Sequence, residues 1–273
     1  MNTEGAFDFH IHTHSSDGLF SGSEVMRTAG EAGLRAISIT DHDTVDAYRE
    51  IRGSGAPAPG WPALLPGVEV STRLDEEEAH ILGYFPGGIS PAVESWLEGI
   101  IESRRRRMAE AIRSLRVRGL DVSWNDCASA ARGRIVNRTH LANILVTKRY
   151  VLKPARAYAV YLGRDTVPLP EASAEETVAS IASLGGIPVW AHPAARSFGQ
   201  WIERLAAAGL AGVEVHTPRR KRADARVLGE GARARGLLVT GGSDWHGFER
   251  GPRLGKFRVG RDRVGEFLER VLL

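Results

Sequence analysis

One cysteine, Cys127, stands in the whole chain, which excludes an internal disulfide framework and fits a reducing compartment. No stretch approaches the roughly 18 uninterrupted apolar residues that a membrane span needs. Met1–Ala6 has no basic segment leading into an apolar run, so no secretory signal is expected. Internal repeats and low-complexity tails are also missing. Lysine is scarce, with four against 32 arginines among the 36 basic residues. Arginine's planar fork suits phosphate and carboxylate, but a net charge of +3 says little about function by itself. These absences lead to the expectation of a cytoplasmic protein with no membrane attachment and no obligate protein partner. Over 273 residues, 42% hydrophobic and 25% charged, the chain can bury one large core plus a small inserted unit.

Short apolar runs rich in β-formers recur between helical segments. Strands are expected at Ala6–His12, Arg35–Asp41, Ala63–Ser71, Ala79–Phe85, Ile187–His192, Gly212–Thr217 and Leu237–Ser243. Amphipathic helical periods fall at Ser23–Ala32, Ala174–Leu184, Gln200–Ala208 and Arg219–Arg235, and Gly33, Gly185, Gly209 and Gly236 follow them as C-terminal caps. Helix, glycine, apolar strand is the grammar of an α/β protein, and seven strands suggest a barrel, mostly parallel. The rhythm breaks between Pro86 and Pro170. There Ser90–Gly119, Trp124–Arg132 and Thr139–Tyr150 read as consecutive helices, so residues 86–170 are expected to form a helical cap inserted into a barrel made from 1–85 and 171–273. Ser54–Pro66, rich in proline and glycine, reads as a loop. The run Arg104–Arg107 reads as the solvated face of a long helix, since no aromatic residue is interleaved to stack a base.

Ligand-type residues fall on this frame in a pattern. His10 and His12 are two apart on the first strand, so both point to one side. Asp17 follows in a loop, His42 comes after the second strand, Glu69 lies on the third and His80 on the fourth. His192 ends the fifth strand, His216 the sixth, and Asp244 and His246 follow the seventh. In a β/α barrel the C-terminal strand ends share one rim, so residues far apart in the chain would converge there. Imidazoles mixed with carboxylates suit Mn, Fe or Zn better than Mg or Ca. The set is too large for one ion, so two or three divalent metals are expected, with Glu69 or Asp244 able to bridge.

The runs DFHIHTHSSDG, TDHD, PGVEVS, HILGY, AHP and GSDWHG, in this order, resemble the motifs of the PHP (polymerase and histidinol phosphatase) superfamily. The resemblance extends over almost the whole chain. It is strongest to the stand-alone phosphoesterases that act on nucleoside 3′,5′-bisphosphates or as 5′-to-3′ exonucleases. It implies a distorted (β/α)7 barrel with a trinuclear centre, manganese being the expected metal and iron or zinc the alternatives. Carried over, His10, His12, Glu69 and Asp244 would hold one metal. Glu69, His80 and His192 would hold a second, and Asp17, His42 and His246 a third. Within the insertion, Asn137-Arg138-Thr139-His140 resembles a Gly-Arg-Pro-His run of that group, and Tyr161-Leu162-Gly163-Arg164 resembles a second one. Arg138 and Arg164 are thereby expected to clamp phosphate, with His140 assisting.

The resulting expectation is a phosphoesterase that hydrolyses a nucleotide phosphate monoester by a metal-bridged hydroxide. Asp244 would act at the reacting centre and His216 is a candidate proton donor. The substrate would be a nucleoside 3′,5′-bisphosphate or 5′-mononucleotide. The alternatives are a 5′-to-3′ exonuclease on short 5′-phosphorylated RNA or DNA, a histidinol-phosphate phosphatase, and a non-catalytic metal-stabilised binding domain. An amidohydrolase would also begin with His-Xaa-His, but none of the four lysines lies on an expected core strand.

Overall fold

A computed structural model describes residues 5–55, 58–132, 135–248 and 251–272. Residues 56–57 of the loop expected over Ser54–Pro66, and the first four residues of the chain, lie outside that range. In chain order the elements begin β1 (Ala6–Ile11), α1 (Gly22–Glu31), β2 (Ala36–Ile39), α2 (Asp46–Gly53), β3 (Ala63–Leu74) and β4 (Glu77–Tyr84). Four helices follow without a strand: α3 (Pro91–Val117), α4 (Trp124–Ala130), α5 (Arg138–Thr147) and α6 (Pro154–Val160). Alternation then resumes with α7 (Ala174–Ser183), β5 (Ile187–Trp190), α8 (Ala195–Ala207), β6 (Gly212–His216), α9 (Arg222–Arg233), β7 (Leu238–Gly241), β8 (Val259–Gly260) and α10 (Arg261–Val271).

The eight strands form one sheet in the order β7-β6-β5-β4-β3-β2-β1-β8. The sheet nearly closes on itself, because past β7 the chain returns to β1: the Asp244 amide donates to the His10 carbonyl at 2.9 Å and the His12 amide to the Trp245 carbonyl at 2.8 Å. Phe7, Phe9, Leu82, Tyr84, Val189 and Phe267 fill one buried cluster, with Phe267 of α10 edge-on to both Phe9 and Tyr84. Burying these large rings supplies much of the driving force for closure.

Two features of the sheet depart from the sequence expectation. β4 runs antiparallel to both β3 and β5, so its N-terminal half, not its C-terminal end, carries His80 to the rim. A β3–β4 hairpin turning over at Asp75, in the left-handed region at φ 47°, replaces the right-handed crossover that a parallel pair would need. An eighth strand, only two residues long, pairs antiparallel with β1 and was too short to show any periodicity.

The helices between β4 and α7 build their own buried cluster, including Met108, Leu115, Cys127, Leu141, Leu145 and Leu162. Val93 and Leu97, at the start of α3, pack instead into the cluster beneath α7 and α8. One 27-residue helix thus packs into both clusters. The arginine run lies on this helix and is not a solvated face. Arg104 and Arg107 are buried, and only Arg105 and Arg106 are exposed. Arg104 donates from Nε to Asp43 Oδ2 and from Nη2 to Ser71 Oγ, and Arg107 donates to Glu78 Oε1 at 2.7 Å and to the Pro168 carbonyl. Among the described residues no helix is long and apolar enough to cross a membrane.

Candidate metal centre

All nine expected ligands meet on the rim, in three groups whose candidate ligand atoms lie within 4.8 Å of one another. His10, His12, Glu69 and Asp244 form one group, Glu69, His80 and His192 a second, and Asp17, His42 and His246 a third, which His12 joins. Glu69 connects the first two. Its Oε2 lies 3.3 Å from both His10 Nε2 and His12 Nε2, and its Oε1 lies 3.1 Å from His80 Nδ1 and 3.0 Å from His192 Nε2. Asp244 Oδ1 closes the first group at 3.1 Å from His12 Nε2. Asp17 Oδ1 sits 3.3 Å from His246 Nε2 and 4.0 Å from His42 Nε2.

Local backbone geometry brings these side chains together. The β1–β2 register shifts between Asp8 and Ile11 as β1 approaches the rim. Across from it, a Cβ on Gly242 would lie 2.3 Å from His10 Cβ, so only glycine lets the chain past β7 reach β1. Asp43, His192 and Asp244 all take positive φ, at 58°, 31° and 52°, an unusual conformation that recurs where a site over-determines its backbone. Asp41 secures the loop carrying Asp17 by accepting from the Thr13 amide at 2.7 Å and the Ser16 hydroxyl at 2.6 Å.

Glu214 is a functional residue the sequence reading passed over. It is fully buried on β6, accepts the His10 Nδ1 proton at 3.0 Å and accepts the His192 amide at 2.8 Å. A carboxylate on the far nitrogen fixes the tautomer that leaves His10 Nε2 free to bind a cation. The signal was present, since Val213-Glu214-Val215 places a charge inside an otherwise apolar buried strand.

The donor set fits divalent cations. His12 Nδ1, His42 Nδ1 and Glu69 Oε2 are buried without a hydrogen-bond partner, and His10 and His12 bring their Nε2 atoms to 3.2 Å. Imidazole and carboxylate donor atoms that converge on one point form a cation site, whose place a proton takes when no metal is bound. The charges agree. Burial alone would raise Glu69 and Asp17, but the surrounding imidazoles (His10, His80 and His42 for Glu69; His42, His246 and His12 for Asp17) hold both carboxyls well below their usual range. Burial opposes a charge on His12, yet Asp244, Glu69 and Asp17 push its pKa up to about 10. Burial instead drives His42 down to about 3, so its imidazole is neutral, the form a cation would bind.

The remaining expected residues divide. Arg138 opens α5, donates to Glu78 Oε2 and to the Leu162 carbonyl, and lies 5.4 Å over the Tyr158 ring. Asn137 caps α5, its side chain accepting from the His140 amide at 3.2 Å while its own amide donates to His140 Nδ1, also at 3.2 Å. With Nδ1 accepting, the proton of a neutral His140 sits on Nε2, and burial does keep the ring neutral. Thr139, in the position expected for proline, donates to Asp17 Oδ2 at 3.0 Å, so α5 touches a candidate ligand directly. Arg164 is exposed and makes no ion pair or hydrogen bond among the described residues. His216 does not join the ligand groups. Its environment is burial plus Arg263, Arg233 and Arg220, which hold its pKa down to about 4, so it is neutral near pH 7. His14, beside the first ligand pair, lies 3.7 Å from Glu50.

Residues 8–120 match the PHP domain. A 3′,5′-nucleoside bisphosphate phosphatase of Chromobacterium violaceum is 32% identical over 88% of this chain and 86% of its own length. A 5′-3′ exoribonuclease of Salmonella typhimurium is 32% identical over 74% of this chain and 70% of its own. Among solved structures, a Bifidobacterium adolescentis protein assigned as a metal-dependent phosphoesterase superposes with a TM-score of 0.81 at 26% identity, covering 97% of this chain and 96% of that one.

Proposed function

The chain belongs to the PHP family of metal-dependent phosphoesterases, and from that premise we propose that it hydrolyses a phosphate monoester of a nucleotide, a nucleoside 3′,5′-bisphosphate or a 5′-mononucleotide. The observation that carries this reading is the position of Arg138. Its guanidinium is held between Glu78 of β4 and Tyr158 of α6, one residue from the Thr139 that bonds Asp17. A phosphate reaching the ligand groups would meet this pre-oriented fork, and charge-assisted bidentate bonds would hold it. His140 adds an Nε2–H donor in the cleft that Asp17 and Thr139 line. Arg164, exposed and two residues beyond the Leu162 carbonyl that Arg138 grips, would swing onto the outer phosphate of a bisphosphate in this reading.

Two or three divalent cations, manganese by preference, are assigned to the nine ligands: His10, His12, Glu69 and Asp244; Glu69, His80 and His192; Asp17, His42 and His246. When bound, such cations supply Lewis-acid activation of water and neutralise charge on the phosphoryl oxygens. Asp244, the most open ligand carboxylate with 42% of its side chain exposed, would accept a hydrogen bond from the attacking water and orient it. Its carboxyl is held well below the usual range: burial opposes this, but His10, His12 and His246 outweigh it. It therefore orients rather than takes a proton. A neutral His216 is a poor acid, so the leaving oxygen draws its proton from solvent in this reading.

A second reading, 5′-to-3′ exonuclease, is favoured by one observation. Arg219 and Lys221 on the loop after β6 and Arg222 at the start of α9 lie exposed, with no ion-pair partner among the described residues, and Arg220 reaches the Pro193 carbonyl beside His192. An oligonucleotide leaving the site on that side would meet these cations.

Phosphate release with Mn from a nucleoside 3′,5′-bisphosphate, 5′- and 3′-mononucleotides, a 5′-phosphorylated oligonucleotide and histidinol phosphate separates the readings. The bisphosphate or 5′-mononucleotide should be preferred, and Arg138→Ala should lower kcat/KM on it with metal content intact. Preference for histidinol phosphate, or bound metal with no hydrolysis of any ester, would overturn the proposal.

A further inference from the structure

Next to the ligand groups is an apolar lip that the chemistry so far leaves unused. Leu19, Phe20 and Phe248 are 50%, 37% and 47% exposed. The lip is built rather than incidental. Gly247 turns at φ 77°, and a Cβ there would lie 2.5 Å from the Phe20 ring, which itself stacks on Trp245 at 5.4 Å. Only glycine allows the turn that lays Phe248 on His246, with ring centroids 5.3 Å apart and planes 15° apart. His246 lies 3.3 Å from Asp17. One face of Phe248 is thus fixed against a ligand imidazole, and nearly half of the side chain stays open to solvent.

Facing it across a cleft of about 120 Å³ are Ala130 and Asn143 of the cap helices, with Asp17 and His140 along the same cleft. A ligand seated there would present a flat apolar ring to Phe248 and an anionic group to the residues beside Asp17. Asn143 is exposed and carries both a donor and an acceptor for a polar ring edge. We infer that this cleft is the base subsite of the nucleotide substrate, with the base stacked on Phe248 and the cap closing its other side. The inference rests on the nucleotide reading above and adds to it the means of recognition. Stacking on one phenyl ring accepts every base, because each has a π-face, so the enzyme requires a base without selecting which one.

The test compares kcat/KM with Mn for a 5′-mononucleotide and for ribose 5-phosphate, which lacks the base, in the wild type, Phe248→Ala and Phe248→Trp. The wild type should favour the nucleotide. Phe248→Ala should cut the nucleotide-to-ribose phosphate ratio about 5- to 150-fold, the range of one base–aromatic stack, and Phe248→Trp should keep the ratio within about threefold of the wild type. If Phe248 only braced His246, alanine would depress both substrates together and leave the ratio unchanged, which would overturn the subsite. Equal wild-type turnover of the two substrates would overturn it as well, with the phosphatase reading intact. If the wild type turns over only a nucleoside 3′,5′-bisphosphate, the same ratio is read between that substrate and its base-free ribose bisphosphate; release from none of these would bring down the nucleotide reading and the subsite with it.

Discussion

Replacing Arg104 with alanine deletes a guanidinium that is 7% exposed and bridges the cap helix to the barrel. Its Nε bonds Asp43 Oδ2, its Nη2 bonds Ser71 Oγ, and the other oxygen of Asp43 accepts the Ser71 amide at 2.8 Å. The substitution strands a buried carboxylate and a buried hydroxyl while opening a cavity under α3. Breaking a buried ion pair from one side costs about 3–5 kcal/mol, which at this chain length is a fall in Tm of roughly 6–20 °C. Because Asp43 follows His42 directly, in a left-handed conformation, the loop holding that ligand should loosen too. Arg105→Ala is the matched control, since Arg105 is exposed and makes only a 3.7 Å helical pair with Glu102. Thermal unfolding and Mn titration of both variants decide the matter, with Asp43→Asn added for a double-mutant cycle. A cycle coupling above about 1 kcal/mol is expected for groups in direct contact. If Arg104→Ala cost no more than Arg105→Ala, the buried link would be without energetic weight and the reasoning would fail.

Glu78 is raised by burial, but Arg107, His80 and Arg138 outweigh that and hold it at about 2. Its contribution, about 3 kcal/mol, is present above pH 4.5 and is lost as pH falls toward 2, so denaturation curves of the wild type and Glu78→Gln should converge over that window; a constant gap would contradict it. Thr139→Val removes the hydroxyl that donates to Asp17 and should weaken Mn binding at that site by about 10–100-fold, with unchanged isotherms as the contrary result. The metal-free protein should lose stability as pH rises from 6.5 through about 10, because the proton that ties His12 to its carboxylates is lost there. A metal-free Tm that stayed flat or rose across that window would refute the charge assignment.

The candidate ligand set was legible because most of its residues sit at or near the end of a short apolar run, where a charged or imidazole side chain has no packing reason to be. The direction of β4 was not, since a strand reads alike from either end and only the tight turn at Asp75 reverses it. Arg104 was misread for a physical reason too. It falls midway between Ile100 and Met108 at four-residue spacing, on the stripe that continues to Ala111 and Leu115, so its position already marked it as inward-facing. An arginine on an apolar stripe implies a buried partner, and that partner lay 61 residues away in Asp43, which the local pattern does not reveal. Glu214 was overlooked for the opposite reason: its neighbours made the strand look like simple core.

The central claim is a multi-metal centre joined through Glu69, and metal stoichiometry tests it most directly. Mn titrated into chelator-stripped protein, with elemental analysis of the product, should give two or three equivalents for the wild type. Glu69→Ala, which removes the carboxylate shared by two groups, should lose at least one of them together with phosphate release. One equivalent or none in the wild type, or an unchanged count in Glu69→Ala, would contradict the account.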